Sequence, residues 1–345
     1  MKQKQYIGFI TLVTATLLAA CVHDYPTMTP EGEEGIDPTL VVVDTEVTFD
    51  LDLEPFESIT NETRSGATEA TTGDHRRRFI IEARRNGRAE VRQVAVIEDA
   101  EETGKTLTLP VRLRLHAVEY SLAVWTDYVQ AGTDSDLHYN TGDLLGVRLN
   151  ESYTGNTDYR DCHYATVPLD LRPYRDQWNA RVQLNMEMVR PLAKYQIVAT
   201  DVKDFIKTVE KKYPGETEFG IRFSYDFYFP LAFNVWEGKP TGSQLGVAFT
   251  TRLTLPATGT EEMTLGSDHV FVNGSGSYIP LSMEITSLQD GSVVGRYSGL
   301  NVPYQRGHLT TIRGRFLTAM SGSGGIGIDP GYDDKDIDID LDKLR

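Results

Sequence analysis

The sequence predicts a mainly β protein, built from two tandem antiparallel β-sandwich domains with one short helix. Three observations predict this class. Many segments alternate apolar and polar residues, which is typical of strands with one buried face. Only one segment has helical spacing, and the turns between segments are rich in Gly, Asn and Ser. The length of 345 residues leaves room for two such domains.

The N-terminus has the pattern of a bacterial lipoprotein signal. Lys2 and Lys4 precede an apolar run that is too short for a mature membrane span, and "LAAC" then ends at Cys21. This lipobox predicts a signal peptide over residues 1–20 and lipidation (palmitate or a similar acyl chain) of Cys21. The alternative is an ordinary secretory signal that happens to end at a cysteine. Residues 21–39 are polar, acidic and contain Pro and Gly, which predicts a tether.

The first folded segment, "LVVVDTEVTFDLDL", is predicted to be a strand with one apolar face. That face consists of Val43, Thr45, Val47, Phe49, Leu51 and Leu53. The stretch that follows, "ESITNETRSGATEATTGDH", is rich in turn residues and has no periodicity, so we expect an exposed loop that contains Arg64.

The middle of the chain combines long strands with the helix. "TLTLPVRLRLHA" alternates strictly, and the change of phase after Val118 predicts a bulge or bend. "ARVQLNMEMV" and "EFGIRFSYDFYF" are two further predicted strands. Between them, "DVKDFIKTVEKKYPG" predicts a helix that is capped by Asp201 and ended by Pro214 and Gly215.

The second half continues with short strands: "VAFTTRLTL", "DHVFV", "YIPLSMEITSL" and "HLTTIRGRFLTAM". The turn-rich "EGKPTGSQ" marks a domain boundary, so we predict an N-terminal sandwich over 40–238 and a C-terminal sandwich over 239–320. Residues 321–345 are predicted to form a flexible acidic tail.

The tail contains "DKDIDIDL", in which Ile337, Ile339 and Leu341 share one face of a predicted strand. It follows the glycine-rich "SGSGG" at the end of the chain, and we predict that it has no partner strand in its own chain. A calcium site is disfavoured, because a straight strand spreads its carboxylates too far apart for one cation. A solvated acidic tail is the alternative.

Composition and residue spacing limit the classes of partner and chemistry that we expect. The chain has 50 acidic and 34 basic residues and a formal net charge of −16, which excludes nucleic acid and anionic lipid as electrostatic partners. Besides Cys21 there is only Cys162, so no disulfide can form within the mature chain. The histidines lack metal-ligand spacing, and no complete catalytic motif occurs. We therefore predict no catalytic residue, no metal, no cofactor and no enzyme activity.

Three stretches together suggest a family. "RPLAKYQI", "DHVFV" and "VPYQRGHLTTIRGRFLT", in this order and behind a lipobox, resemble the fimbrillin-like lipoproteins of Bacteroidales, which include fimbrial stalk, tip and anchor subunits. The sequence departs from the pattern at Gly307 and His308, where an asparagine is expected, and this leaves the subgroup open.

The resemblance implies two transthyretin-like β-sandwiches, export to the outer surface, and assembly by strand donation. In polymerising members a trypsin-like protease cuts after an arginine behind the first strand, that strand leaves, and the C-terminal segment of a neighbour fills the groove. In this sequence the matching arginine is Arg64, and the cluster 76–78 is an alternative that adjoins a strand. Ile337, Ile339 and Leu341 are the matching donor residues.

The leading hypothesis is thus a stalk or tip subunit of a cell-surface fimbria, lipid-anchored in the outer membrane before processing. Its partners would be other fimbrial subunits and host or bacterial surface receptors. The alternatives are an anchor subunit, or a non-polymerising adhesin or glycan-binding module that uses Trp125, Trp178 or Trp236. Core packing is favoured for these three tryptophans. A hydrolase, in which a histidine meets a carboxylate or Cys162, ranks third.

Overall fold

The structure, a computed structural model, describes residues 41–52, 75–97, 106–177, 180–274, 276–320 and 337–343. This part of the chain is mainly β with one α-helix, which confirms the predicted fold class. The helix α1 is Val202–Lys212, and two 3₁₀ turns cover Asp158–Arg160 and Arg172–Tyr174. The strands are β1 (Val42–Asp52), β2 (His75–Arg85), β3 (Arg88–Ile97), β4 (Thr106–His116), β5 (Glu119–Gln130), β6 (Tyr139–Asn140), β7 (Val147–Leu149), β8 (His163–Asp170), β9 (Arg181–Met188), β10 (Leu192–Ala199), β11 (Glu218–Tyr225), β12 (Phe229–Asn234), β13 (Lys239–Gln244), β14 (Ala248–Thr254), β15 (Met263–Phe271), β16 (Ser277–Ser287), β17 (Val293–Tyr304), β18 (Leu309–Gly314) and β19 (Ile337–Asp340).

The described strands form five sheets. Their strand orders are β4-β1-β9, β15-β10-β18-β19, β14-β11-β16-β17, β13-β12-β7-β6 and β3-β2-β5-β8. The pairings are antiparallel in most of these sheets, as predicted, but β10–β18 and β18–β19 are parallel. Parallel neighbours need a long connection, and the chain segments between these strands supply it.

By its contacts the chain divides into two compact units. The smaller unit consists of Met1–Glu46, Arg112–Tyr120 and Leu169–Gln183. In it the amide of Ala117 donates to the carbonyl of Val41 at 2.9 Å. Many of its described apolar side chains are buried, among them Val43, Leu113 and Leu115.

The larger unit consists of Val47–Val111, Ser121–Pro168 and Leu184–Arg345. Its core contains the fully buried Trp125, whose ring contacts Tyr139, Phe233 and Phe271. The predicted domain boundary after residue 238 stays a prediction. Strands from the two sides of it share three sheets, and the β12–β13 hairpin turns at that point.

The predicted helix is present with Asp201 at its N-cap, but the Asp201 side chain makes no capping hydrogen bond. Asp201 occupies the N-cap position, and its backbone carbonyl accepts the Phe205 amide at 3.0 Å. Its buried carboxylate instead accepts hydrogen bonds from the Leu317 amide (3.2 Å), the Thr318 amide (2.8 Å) and the Thr318 hydroxyl (2.6 Å). Asp201 thus links the helix start to the segment after β18, because its side chain turns away from the helix. No described helix has the length and apolarity needed to cross a membrane.

At two places the chain leaves one sheet for another, and only the first of them has a change of phase in the sequence. At Ala117 and Val118 a turn separates β4 from β5, which belong to different sheets, so the bend that we predicted is a turn between strands. The predicted single strand over 219–229 is wrong, because the chain breaks after Tyr225. Phe227 and Tyr228 in this break are 62% and 63% exposed, whereas Phe229 returns to the core as the first residue of β12.

Candidate functional site

The first strand, β1, lies between β4 and β9 in its sheet. Its side chains alternate as the sequence predicts: Val41, Val43, Thr45, Val47, Phe49 and Leu51 are 0–1% exposed, and the residues between them are partly exposed. In the larger unit the Phe49 ring stacks on Phe79 with centroids 5.8 Å apart. Leu53 lies outside the described residues.

The position of β1 between two strands determines what its removal would expose. Because β1 has a neighbour on each side, its departure would leave β4 and β9 each with one unpaired edge. It would also uncover the apolar surface under its inward side chains, and burial of each Val, Phe or Leu among them contributes about 1.5–3 kcal/mol. The place that β1 occupies between β4 and β9 is here called the β1 slot.

The tail strand, β19, has a partner in its own chain, so our prediction that it has none is wrong. It lies at the edge of its sheet and pairs in parallel with β18, with Thr310 opposite Ile337 and Ile312 opposite Ile339. Ile337, Ile339 and Leu341 are 5–7% exposed and belong to the core of the larger unit. The prediction failed because alternation reveals a two-faced strand but not the surface that it covers.

The polar face of the tail strand is also engaged. Asp338 forms an ion pair with Arg313, and the Thr200 hydroxyl donates to the Asp342 carboxylate at 2.6 Å. The Leu341 amide donates to the Arg313 carbonyl at 2.8 Å. Gly314 leaves room for Leu341, since a Cβ at Gly314 would lie 3.3 Å from the Leu341 side chain. Asp338 and Asp342 of the tail segment therefore bind other side chains of the fold and are not only solvated.

The structure describes only some of the predicted processing residues. Cys21 and Arg64 lie outside the described residues, so lipidation and cleavage stay predictions. In the alternative cluster, all three arginines lie on β2. Arg78 is 2% exposed and pairs with Asp127 at 2.7 Å and Asp136 at 2.8 Å. The Arg78 side chain is thus held inside the fold, which disfavours it as a protease recognition residue.

The tryptophans do not form a sugar-stacking platform in the part of the chain that the structure describes. Trp125 is fully buried, and Trp236 is partly buried under the Arg84 guanidinium, which lies 4.7 Å from its ring centroid. Trp178 lies outside the described residues.

A buried polar cluster, which the sequence did not reveal, lies in the larger unit. It consists of Arg160, Asp268, Tyr153 and Tyr225. Arg160 and Asp268 form an ion pair and are each 1–2% exposed. The Asp268 carboxylate also accepts the hydroxyls of Tyr153 and Tyr225, and the Arg160 guanidinium lies 4.6 Å from the Tyr153 ring centroid. Asp268 lies in "DHVFV", but no local signal links it to Arg160, which is 108 residues away.

The buried Cys162 has the features of a structural residue rather than of a nucleophile. Burial raises the pKa of the Cys162 thiol, and Asp161 raises it further, which disfavours a nucleophilic thiolate. The Cys162 thiol lies 3.7 Å from the Tyr139 hydroxyl. The described residues contain no group of three His, Cys, Asp or Glu side chains that could hold a metal ion.

Comparison with known proteins places the chain in a family. Residues 38–343 match the model of a family of unknown function, DUF6562. No curated protein matches the sequence significantly. Among solved structures, the fimbrial anchor protein Mfa2 from Porphyromonas gingivalis is similar at 14% identity and a TM-score of 0.37, over 74% of this chain and 81% of that chain. A fimbrial assembly protein from Parabacteroides distasonis is similar at 10% identity and a TM-score of 0.34, over 79% of this chain and 92% of that chain. Because the family model spans most of the sequence, this chain belongs to the DUF6562 family.

Proposed function

We propose that this chain is a non-enzymatic structural subunit, stalk or tip, of a cell-surface fimbria that assembles by protease-triggered donor-strand exchange. The observation that carries the proposal is the place of β1. It is the first described strand, it lies between two neighbours, and its inward face is fully buried. A strand at the start of the chain can leave without unthreading the rest, and its slot then fits an incoming strand.

The processing site follows from the chain order. Arg64 lies between the end of β1 at Asp52 and the start of β2 at His75. Cleavage after Arg64 would sever the covalent link between β1 and the following strands, and would release the lipidated Cys21 with it. The fold would then hold β1 only by noncovalent contacts.

The tail strand is the proposed donor. Its three apolar residues, Ile337, Ile339 and Leu341, have the period of two that the slot requires. β1 has five buried inward positions, so the tail strand would fill three of the five. To donate, the tail strand must first leave β18, where four of its residues are paired.

The pairing of the tail strand with β18 also favours a second function, a surface lipoprotein that does not polymerise and acts as an anchor subunit or adhesin. In that case β1 stays in place, Cys21 keeps its lipid, and the tail strand is a permanent part of the core. Outer-membrane attachment through Cys21, and binding of host or bacterial receptors, belong to both proposals.

Limited proteolysis separates the two functions. The chain from residue 22 is treated with trypsin, the new N-terminus is sequenced, and assembly is followed on unboiled gels. Donor-strand exchange predicts a new N-terminus at Ser65, loss of β1 and SDS-resistant ladders. Arg64→Gln should prevent both cleavage and ladders, whereas Ile339→Asp should allow cleavage and prevent ladders. Arg88→Gln, at the exposed first residue of β3, is the matched control. Trimmed protein that stays monomeric would contradict the proposal.

A further inference from the structure

The larger unit contains a cavity that the assembly proposal does not use. Its volume is about 560 Å³, within the range of about 300–1,000 Å³ that is usual for small-molecule sites. Three parts of the chain line it: the loop 154–157, the strands β11 and β14, and a wall that contains His75, His138 and Tyr159. All of these residues belong to the larger unit.

The floor of the cavity is open because a strand residue has no side chain there. Gly220 lies in the interior of β11, opposite Arg252 of β14 and Thr286 of β16. A Cβ at Gly220 would lie 3.1 Å from the Thr286 hydroxyl and 3.4 Å from Leu288. A glycine inside a strand weakens the strand and often marks close approach of a ligand or another backbone.

The loop wall is held in place before any ligand binds. The Asn156 amide donates to the Ser267 carbonyl at 2.8 Å, and the Ser267 amide donates to the Asn156 side chain at 3.1 Å. Asn156 has a positive φ of 57°, which asparagine tolerates better than most residues. Gly155 lies against the Phe249 ring, where a Cβ would come within 2.5 Å. This wall is therefore preorganised.

The second wall is built from rings. The His75 and Tyr159 rings stack with centroids 3.7 Å apart, and Tyr128 meets Tyr159 edge-on at 5.4 Å. Burial, together with the nearby Arg160 and His75, lowers the pKa of His138 to about 4. At neutral pH the His138 imidazole is uncharged, so that it offers one hydrogen-bond donor and one acceptor.

The charge of the lining contrasts with that of the protein. The chain has 50 acidic residues, yet none of the described residues that line the cavity is acidic. The lining has one permanent cation, Arg252, and four threonines: Thr154, Thr157, Thr250 and Thr251. Arg252 donates from one nitrogen to Glu218 at 3.0 Å, but this pair is exposed and contributes little, and a guanidinium has five donors.

We propose that this cavity binds a saccharide that bears a carboxylate. Its hydroxyl, amide and imidazole groups suit the ring hydroxyls of a sugar, and Arg252 at the edge suits one carboxylate. A neutral sugar has no carboxylate to pair with Arg252. A small carboxylic acid such as acetate has no hydroxyl groups to bond with the threonines and His138. Binding of such a sugar would equip the chain for attachment, whether or not it polymerises.

The test uses saturation-transfer NMR and calorimetry on the chain from residue 22, with glucuronic acid and N-acetylneuraminic acid as probes and glucose and acetate as comparisons. We expect at least one acidic sugar to bind at least tenfold more tightly than glucose or acetate. Arg252→Gln should lower that affinity about tenfold, and Gly220→Val should abolish it by filling the floor.

Arg222→Gln is the matched control, because Arg222 is an exposed arginine of β11 outside the lining. Circular dichroism reports whether each variant folds. If Gly220→Val does not fold, Arg252→Gln still decides, since its side chain is 62% exposed. Absence of binding for both acidic sugars overturns the proposal, as does glucose binding equally well, or Arg252→Gln and Arg222→Gln having equal effects.

Discussion

At the scale of single residues, the buried polar cluster is the feature whose stability depends most on its charges and hydrogen bonds. Burial of an ion pair carries a desolvation penalty, which further hydrogen bonds must offset. Asp268 accepts from Arg160, Tyr153, Tyr225 and the backbone amide of His269, so its lone pairs are used. Removal of one charge therefore leaves the other buried and unpaired.

We predict that Asp268→Ala lowers the free energy of unfolding by about 3–5 kcal/mol, because Arg160 then has no counter-ion. Urea unfolding followed by circular dichroism measures this. The exposed Asp226, whose carboxylate accepts the Ser282 hydroxyl at 2.8 Å, provides the control. Asp226→Ala should change stability by less than about 0.5 kcal/mol. Equal effects of the two substitutions would refute the account.

Two histidines make stability depend on pH. Burial lowers the pKa of His138 to about 4 and that of His269 to about 3, whereas histidine in an unfolded chain titrates near 6.5. Below about pH 6.5 the unfolded chain takes up protons that the folded chain does not. Stability is therefore complete above this pH and falls as the pH drops towards 4, by up to about 1.4 kcal/mol per pH unit for each histidine.

We predict that His138→Gln flattens the pH dependence of the free energy of unfolding between pH 6.5 and pH 4.5. The difference between variant and parent is the quantity to measure, because carboxylates also titrate in this range. A parallel pair of pH profiles for His138→Gln and the parent would contradict the assignment.

At the scale of elements, alternation in the sequence predicted the strands well where one face is buried. β1 and β4 follow the predicted pattern, and α1 follows its helical spacing. Predictions failed where side chains had alternatives that lie far away in sequence. Asp201 was expected to cap α1, but the amides of residues 317 and 318 compete for its carboxylate. The break after Tyr225 was missed because Phe227 and Tyr228 are apolar yet exposed.

We predict that Phe49→Ala, on the inward face of β1, lowers the free energy of unfolding by about 3–5 kcal/mol, because it leaves a cavity against Phe79. Thr48→Ala, one residue earlier on the outward face, should cost less than about 0.5 kcal/mol. Chemical denaturation of both variants tests whether β1 has the two faces described. A larger loss for Thr48→Ala would show the opposite facing.

We predict that Gly314→Val displaces the tail strand, although the sequence of the tail itself is unchanged. A Cβ at this position already lies 3.3 Å from Leu341, so two further methyl groups need the space that Leu341 occupies. Faster amide hydrogen exchange at residues 337–341 measures the displacement. Thr311→Val, on the same strand, is the comparison. Unchanged exchange in Gly314→Val would mean that the tail strand does not depend on this contact.

At the scale of the whole molecule, the sheet topology lay beyond the sequence. β10 pairs with β15 and β18, which follow it by more than sixty residues, and all three have similar apolar patterns. Alternation determines which face of each strand is buried, but many partners satisfy it equally. The same ambiguity hid the partner of the tail strand and the cavity, whose walls come from three separated segments.

We predict that a chain ending at residue 336 is folded but less stable, because Ile337, Ile339 and Leu341 no longer cover the core. The unfolding midpoint should fall by several degrees, since each kcal/mol corresponds to about 2–4 °C in a unit of this size. A chain ending at Lys343 should match the parent. An unchanged midpoint after truncation at 336 would show that the tail strand adds nothing to the fold.

The pairing of the tail strand with β18 has a consequence for timing. A segment tethered to its own docking strand is present at an effective concentration in the millimolar range, above that of free subunits in a compartment. If the tail strand is the donor, a lone subunit keeps it occupied, and a neighbour competes only after its own slot has opened. Pairing of β19 within its own chain would then delay association of subunits, and the rate of assembly would depend on how often β19 detaches.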